Sequence, residues 1–278
     1  MSTVFDAQQQ LANIDAIMRE TERMAQTLHD WPESYWKRQT YCPDWTASDA
    51  VAHLITGADF YAQVVDSGRR GHPQPPWGLQ DVSKYRQTRI EIGQTFIEAG
   101  SSTLIDGFER EAAKLHDVFL SLEEADLDQA AWHPRGLIPL GCWIGMRLNE
   151  VVVHGWDIRQ PHEAQAGLSP QALPAMGSVL PEMQLQFLSQ RVAEGLDGVH
   201  LIHASDIAWA FEIRGQTVTY RAEAPTQSDA CVHTDIESLV LLTMGRADLD
   251  AKRQTGDFTL SGDIDKGNRL CDLLFRTF

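Results

Sequence analysis

The chain has 278 residues, of which 43% are apolar; this is enough for a packed core in one large domain or two ordinary ones, and it excludes global disorder. Acidic residues outnumber basic ones by 39 to 23, a formal charge of -16, which is the wrong sign for a nucleic-acid partner. The N-terminus carries no basic segment followed by an apolar stretch, and no apolar run approaches the roughly 20 residues of a membrane helix, so neither a signal peptide nor a membrane span is expected.

The first predicted element is an amphipathic helix over residues 6–30, with Leu11, Ile14, Ile17, Met18, Met24 and Leu28 at helical spacing and Trp31-Pro32 ending it. Thr46 with Asp49 three positions on forms a capping box with the shorter acid and predicts the start of a second helix. That helix carries Val51, His53, Leu54, Ile55, Phe60, Val64 and Val65. Residues 68–79 are rich in Gly and Pro and read as a loop long enough to border a site. A third helical region spans 82–122, interrupted near Gly100-Ser101-Ser102, with Leu104, Phe108, Leu115, Phe119 and Leu122 as its stripe. Residues 132–136 read as a turn, and a fourth helix covers 140–159. Four long helices in this order predict a four-helix bundle, in which metal sites are built from facing helices.

Beyond Pro170 the texture changes. A helix over 170–194 is followed by strands at 207–213, 217–220 and 230–233, a helix at 235–245, a strand at 258–262 and a helix at 263–276. A run of helices followed by a mixed tail predicts the α+β class: an all-α domain and then a small α+β domain, with the boundary between 162 and 200. The four cysteines, Cys42, Cys142, Cys231 and Cys271, form no C-x-x-C pair and no disulfide framework, so reduced thiols in a cytoplasmic protein are expected.

The stretch from Asn149 to Asp157 carries the chemistry. Glu150 and His154 stand four apart in an apolar run, so on a helix they share one face, one turn apart. Burying both costs free energy unless each is satisfied. Two readings account for them: a divalent metal held by both, or a helix contact with a core histidine bonded to a polar neighbour. The metal reading needs a third ligand, and His53 is placed to supply it, two turns into its helix. Two histidines and one carboxylate leave coordination positions open, as catalytic rather than structural sites do. Asp157 is placed to hold an imidazole in one tautomer. Arg147, about one turn before Glu150, reads as a structural partner for it. Trp45, Trp77, Trp143 and Trp156 either line a pocket or fill the core. Cys42 reads as buried and inert, and His200 and His203 as structural or exposed.

The segment Cys42-Pro43-Asp44-Trp45-Thr46, followed by Asp49, His53 and Leu54, resembles the helix-entry element of the mycothiol-dependent maleylpyruvate isomerase family, within the DinB-like metal-binding superfamily. Asn149-Glu150 with His154-Gly155-Trp156-Asp157 is similar to the same family's second metal element, and Glu150 in place of a third histidine points to the isomerase-like branch. Residues 234–239, Gly245-Arg246 and 255–263 resemble the small C-terminal domain, similar to sterol-carrier folds, of many members. The resemblance implies a DinB-like four-helix bundle over residues 1–165, and a helix plus small α+β domain over 166–278. It implies that His53, Glu150 and His154 bind a divalent metal, usually zinc. Arg246 then has two readings, a clamp on a substrate carboxylate or a solvated helix-end arginine.

The implied cofactors are that metal and a low-molecular-weight thiol, mycothiol or similar. The implied function is attack of a metal-bound thiolate on an electrophilic small molecule, as an S-transferase or a cis–trans isomerase of the maleylpyruvate type. Alternatives are a thiol-independent metal–water hydrolase and a non-enzymatic small-molecule or lipid binder. The expected partners are a small-molecule substrate, no nucleic acid and no membrane, in a monomer or homodimer.

Overall fold

The computed structural model describes residues 5–163, 166–191 and 195–275. They divide into two compact units, residues 1–172 and 173–278.

In the first unit, α1 (Ala7–His29) starts at Asp6, whose carboxylate accepts from Gln9 N. Its inner stripe runs through Asn13, Ile14, Ile17, Glu20, Met24 and Leu28. Leu11, expected on that stripe, is 57% exposed. Gln10 and Asn13 occupy the inner face at its level, and residue 11 is turned about a quarter of the way round the helix from residue 10. Helix α2 (Ala47–Arg69) begins as its capping box predicts: the Thr46 side chain accepts from Asp49 N, and the Asp49 side chain accepts from Thr46 N. The third helical region is two helices, α3 (Tyr85–Ala99) and α4 (Ser101–Leu120). Gly100 stands between them at φ 97, a backbone conformation that glycine alone adopts readily.

The segment expected as a turn is a hairpin. Strand β1 (Ala130–His133) pairs antiparallel with β2 (Gly136–Pro139), and only the two residues between them turn. Helix α5 (Leu140–Arg159) follows. Helices α1, α2, α4 and α5 form the bundle, and α3 lies against α2 and α4. Met24, Leu28, Val51, Leu54, Ile55, Leu104, Phe108, Val151 and Ile158 meet in its core. Each such side chain contributes roughly 1.5–3 kcal/mol on burial. Helix α5 is buried along most of its length, so its two polar site residues are set in a rigid, central element.

The second unit opens with α6 (Leu173–Arg191), three residues later than expected. The end of the predicted helix, 192–194, lies outside the described residues. Five strands follow, interleaved with short helices: β3 (Gly198–Ala204), β4 (Ile207–Arg214), β5 (Thr217–Arg221), β6 (Ala230–Thr234), α7 (Ile236–Thr243), α8 (Leu249–Thr255), β7 (Phe258–Gly262) and α9 (Ile264–Leu274). The sheet order is β5-β4-β3-β6-β7, with β3 and β6 parallel and every other pair antiparallel. Helix α8 was not expected from the sequence, and the stretch around His200 and His203, open between strand and linker, is strand β3. His200, at a buried position of β3, interrupts its apolar alternation. Helix α6 packs on β4 and β5, where Trp209 Nε1 donates to Gln184 Oε1 at 3.2 Å. The architecture is α+β, a helical bundle followed by a smaller sheet-and-helix unit. Among the described residues no helix is long and apolar enough to cross a membrane.

Candidate metal centre

The bundle brings His53 of α2 together with Glu150 and His154 of α5. One donor atom from each lies within 4.8 Å of the other two. His53 Nε2 is 2.9 Å from Glu150 Oε2, and the two imidazole rings meet edge to face with centroids 4.9 Å apart. The helix entry before α2 also matters here, because Trp45 covers both rings, with centroids 4.7 Å from His53 and 5.5 Å from His154.

Hydrogen bonds and burial set the charge state of each donor. Burial, with the Arg89 guanidinium beside it, lowers the His53 imidazole to about 4 against the pull of Glu150 in the other direction, so it is neutral at neutral pH. Burial alone would raise the Glu150 carboxyl; His53, His154 and Arg89 outweigh it and hold Glu150 well below the ordinary carboxylate range. His154 Nδ1 is 2.8 Å from Asp157 Oδ2, and Asp157 is wholly buried. That bond assigns the ring proton to Nδ1 and leaves the Nε2 lone pair free. Asp157 therefore sits where its spacing predicts.

Cys42 departs from its reading as buried and inert. It is half-buried, and its thiol donates to Asp157 Oδ2 at 3.4 Å, so Cys42, His154 and Asp157 form a second close group. Arg147 is buried and donates to Leu54 O at 3.0 Å, tying α5 to α2. Trp143 is core, packed edge-on against Tyr61, and Trp156 donates to Ala166 O. His200 is buried and bonded to Leu196 O at 2.7 Å; His203 is exposed.

Sequence reasoning missed the contribution of α3. A cavity of about 430 Å³ opens beside His53, lined among others by Trp45, Thr56, Arg86, Arg89 and Ile97. Arg89 donates to His53 O at 2.9 Å and to Thr56 Oγ1 at 3.3 Å, and its guanidinium lies 3.9 Å from Glu150 Oε2. The only signal in the sequence was the spacing of Arg86 and Arg89, one turn apart just after the Gly/Pro-rich loop. That loop is pinned at Trp77, which donates from Nε1 to Asp59 and from its backbone N to Gln63, and stacks on Tyr85. Arg246 belongs to the second unit. It is buried there, following α7, and donates to Met244 O at 2.8 Å.

Two solved structures share this fold. The crystal structure of the mycothiol-dependent maleylpyruvate isomerase is 18% identical, covers 91% of this chain and 92% of that one, and superposes with a TM-score of 0.60. A histidine-to-alanine mutant of it gives the same identity and coverage with a TM-score of 0.61. The sterol carrier protein 2 like 2 of Aedes aegypti, 17% identical, covers 34% of this chain and 97% of its own, at a TM-score of 0.28, too low to establish a shared fold. No curated protein matches the chain. The family model described as the mycothiol maleylpyruvate isomerase N-terminal domain matches residues 17–159, just over half of the chain, and includes all three residues of the cluster. The chain belongs to the mycothiol maleylpyruvate isomerase N-terminal domain family.

Proposed function

We propose that this chain is a mycothiol-dependent isomerase of the maleylpyruvate type, or an S-transferase built on the same site, with a divalent metal held by His53, Glu150 and His154. The observation that carries this reading is the convergence of those three donors beside a cavity of about 430 Å³. The donor set suits the ion. Two imidazoles and one carboxylate offer nitrogen and oxygen donors, and ligands of this kind and number match zinc while leaving a position open. When bound, the metal supplies a Lewis acid that favours the thiolate over the thiol form of a cofactor.

The residues of the chain do the rest. Asp157 holds the His154 ring in the tautomer that faces the site. Trp45 covers the His53 ring, and residues of α2 and α3 form the cavity wall beside it. Arg246 is proposed as a group that pairs with a carboxylate of the substrate, a role suited to the planar, bidentate guanidinium. An isomerase adds the thiolate to a cis double bond, lets the resulting single bond rotate, and expels the same thiolate; the thiol is regenerated and nothing is oxidised. A transferase keeps the adduct.

The test is an optical titration of the cobalt-substituted protein with mycothiol and other small thiols. The expected result is visible bands of four- or five-coordinate cobalt that gain a sulfur charge-transfer band with one thiol. Cobalt bands that ignore every thiol would move the reading to thiol-independent hydrolysis. No cobalt uptake would remove the metal from the site.

A further inference from the structure

We propose that Arg89, with Arg86 beside it on α3, is the anchor for a carboxylate of the electrophile and so selects anionic substrates. The inference rests on the thiol-dependent reading of the same site and adds a substrate-facing residue to it.

The first support is position. Arg86 and Arg89 both line the cavity beside His53, and the Arg89 guanidinium reaches within 3.2 Å of His53 Nε2. Of the three donors His53 is the one that lines this cavity, so a small molecule held there lies against both His53 and Arg89. Room for the guanidinium is built into the facing helix. Gly57 lies one turn after His53 on α2, and a Cβ there would come 2.8 Å from the Arg89 guanidinium and 3.7 Å from Glu150 Oε2. Arg86 is exposed and has no ion-pair partner among the described residues.

The second support is the state of the acids in the same lining. Asp49 is committed to the start of α2, accepting from Thr46 N at 2.8 Å and Thr46 Oγ1 at 2.5 Å, and Asp44 is exposed. Among the described residues no ion pair joins either acid to Arg86 or Arg89, so the two guanidinium groups of the lining are left to an anionic guest although the whole chain carries -16.

The experiment is calorimetric titration of the zinc-loaded full chain with maleate, and with maleamide as its neutral counterpart, without any thiol. Wild type is expected to bind maleate and not maleamide. Arg89→Gln should weaken maleate binding about ten-fold or more with zinc still bound one to one, Arg89→Lys should recover part of the loss, and Arg86→Gln should cost about three-fold. Should Arg89→Gln fold poorly, Arg89→Lys alone decides, because it keeps the charge and removes the fork. Maleamide bound as tightly as maleate, or Arg89 variants that titrate like wild type, would overturn the proposal. No turnover and no thiol are read, so this failure is separate from a failure of the thiol titration with cobalt.

Discussion

A single hydrogen bond decides which nitrogen of His154 is offered to the cluster. With Asp157 Oδ2 as acceptor, the Nδ1 proton is held and Nε2 presents a lone pair. Asparagine at 157 is nearly the same size, but its amide can donate to Nδ1 and favour the opposite tautomer. Asp157→Asn is therefore expected to lower metal affinity about 10–100-fold, measured by chelator competition, with an unchanged circular dichroism spectrum. Unchanged affinity would show that the tautomer is set by something else. The same local logic explains what was readable at this scale. Glu150, His154 and Asp157 share one helix, so their spacing alone places them together. Arg89 is on another helix, and its guanidinium approaches His53 past the bare Cα of Gly57, a relation that no local pattern encodes.

At the scale of elements, α2 carries the site because its start is fixed. The Thr46–Asp49 box satisfies backbone donors at the N-terminus and sets the rotation of the helix, which puts His53 two turns in and facing α5. Thr46→Ala should cost about 1 kcal/mol of stability, read as a lower denaturant midpoint at constant slope. A loss indistinguishable from zero would mean that packing alone holds the helix entry. The box was legible because its chemistry lies within four residues. The β1–β2 hairpin was not, because four-residue strands around Pro134 and Arg135 are too short to show a period of two. Strand β3 was only partly legible for a related reason: His200 takes a buried position by donating to Leu196 O, a bond that only the folded chain reveals. Helix α3 was joined to α4 in the sequence reading until Gly100, and only that glycine marked the break.

At the scale of the molecule, the change of texture after Pro170 was plain, since amphipathic helical periodicity gives way to short alternating strands, and the two units divide at residues 172 and 173. All three donors lie in the first unit. A fragment of residues 1–172 is thus expected to give the same cobalt spectrum as the full chain. A fragment that folds and binds no cobalt would show that the second unit completes the site.

The pairing of the sheet has a further consequence for the order of events during synthesis. Strand β6 returns to the free side of β3, and β7 is needed to cover its other edge, so the second unit cannot close until about residue 262 has been made. The first unit is complete by residue 172, where the segment after α5 has returned to α1 through the bond from Ser169 Oγ to Glu20 Oε1. On a ribosome that builds from the N-terminus, the elements that bring His53, Glu150 and His154 together are all made while the sheet is still being translated, so the cluster belongs to the part of the chain that is free to fold first.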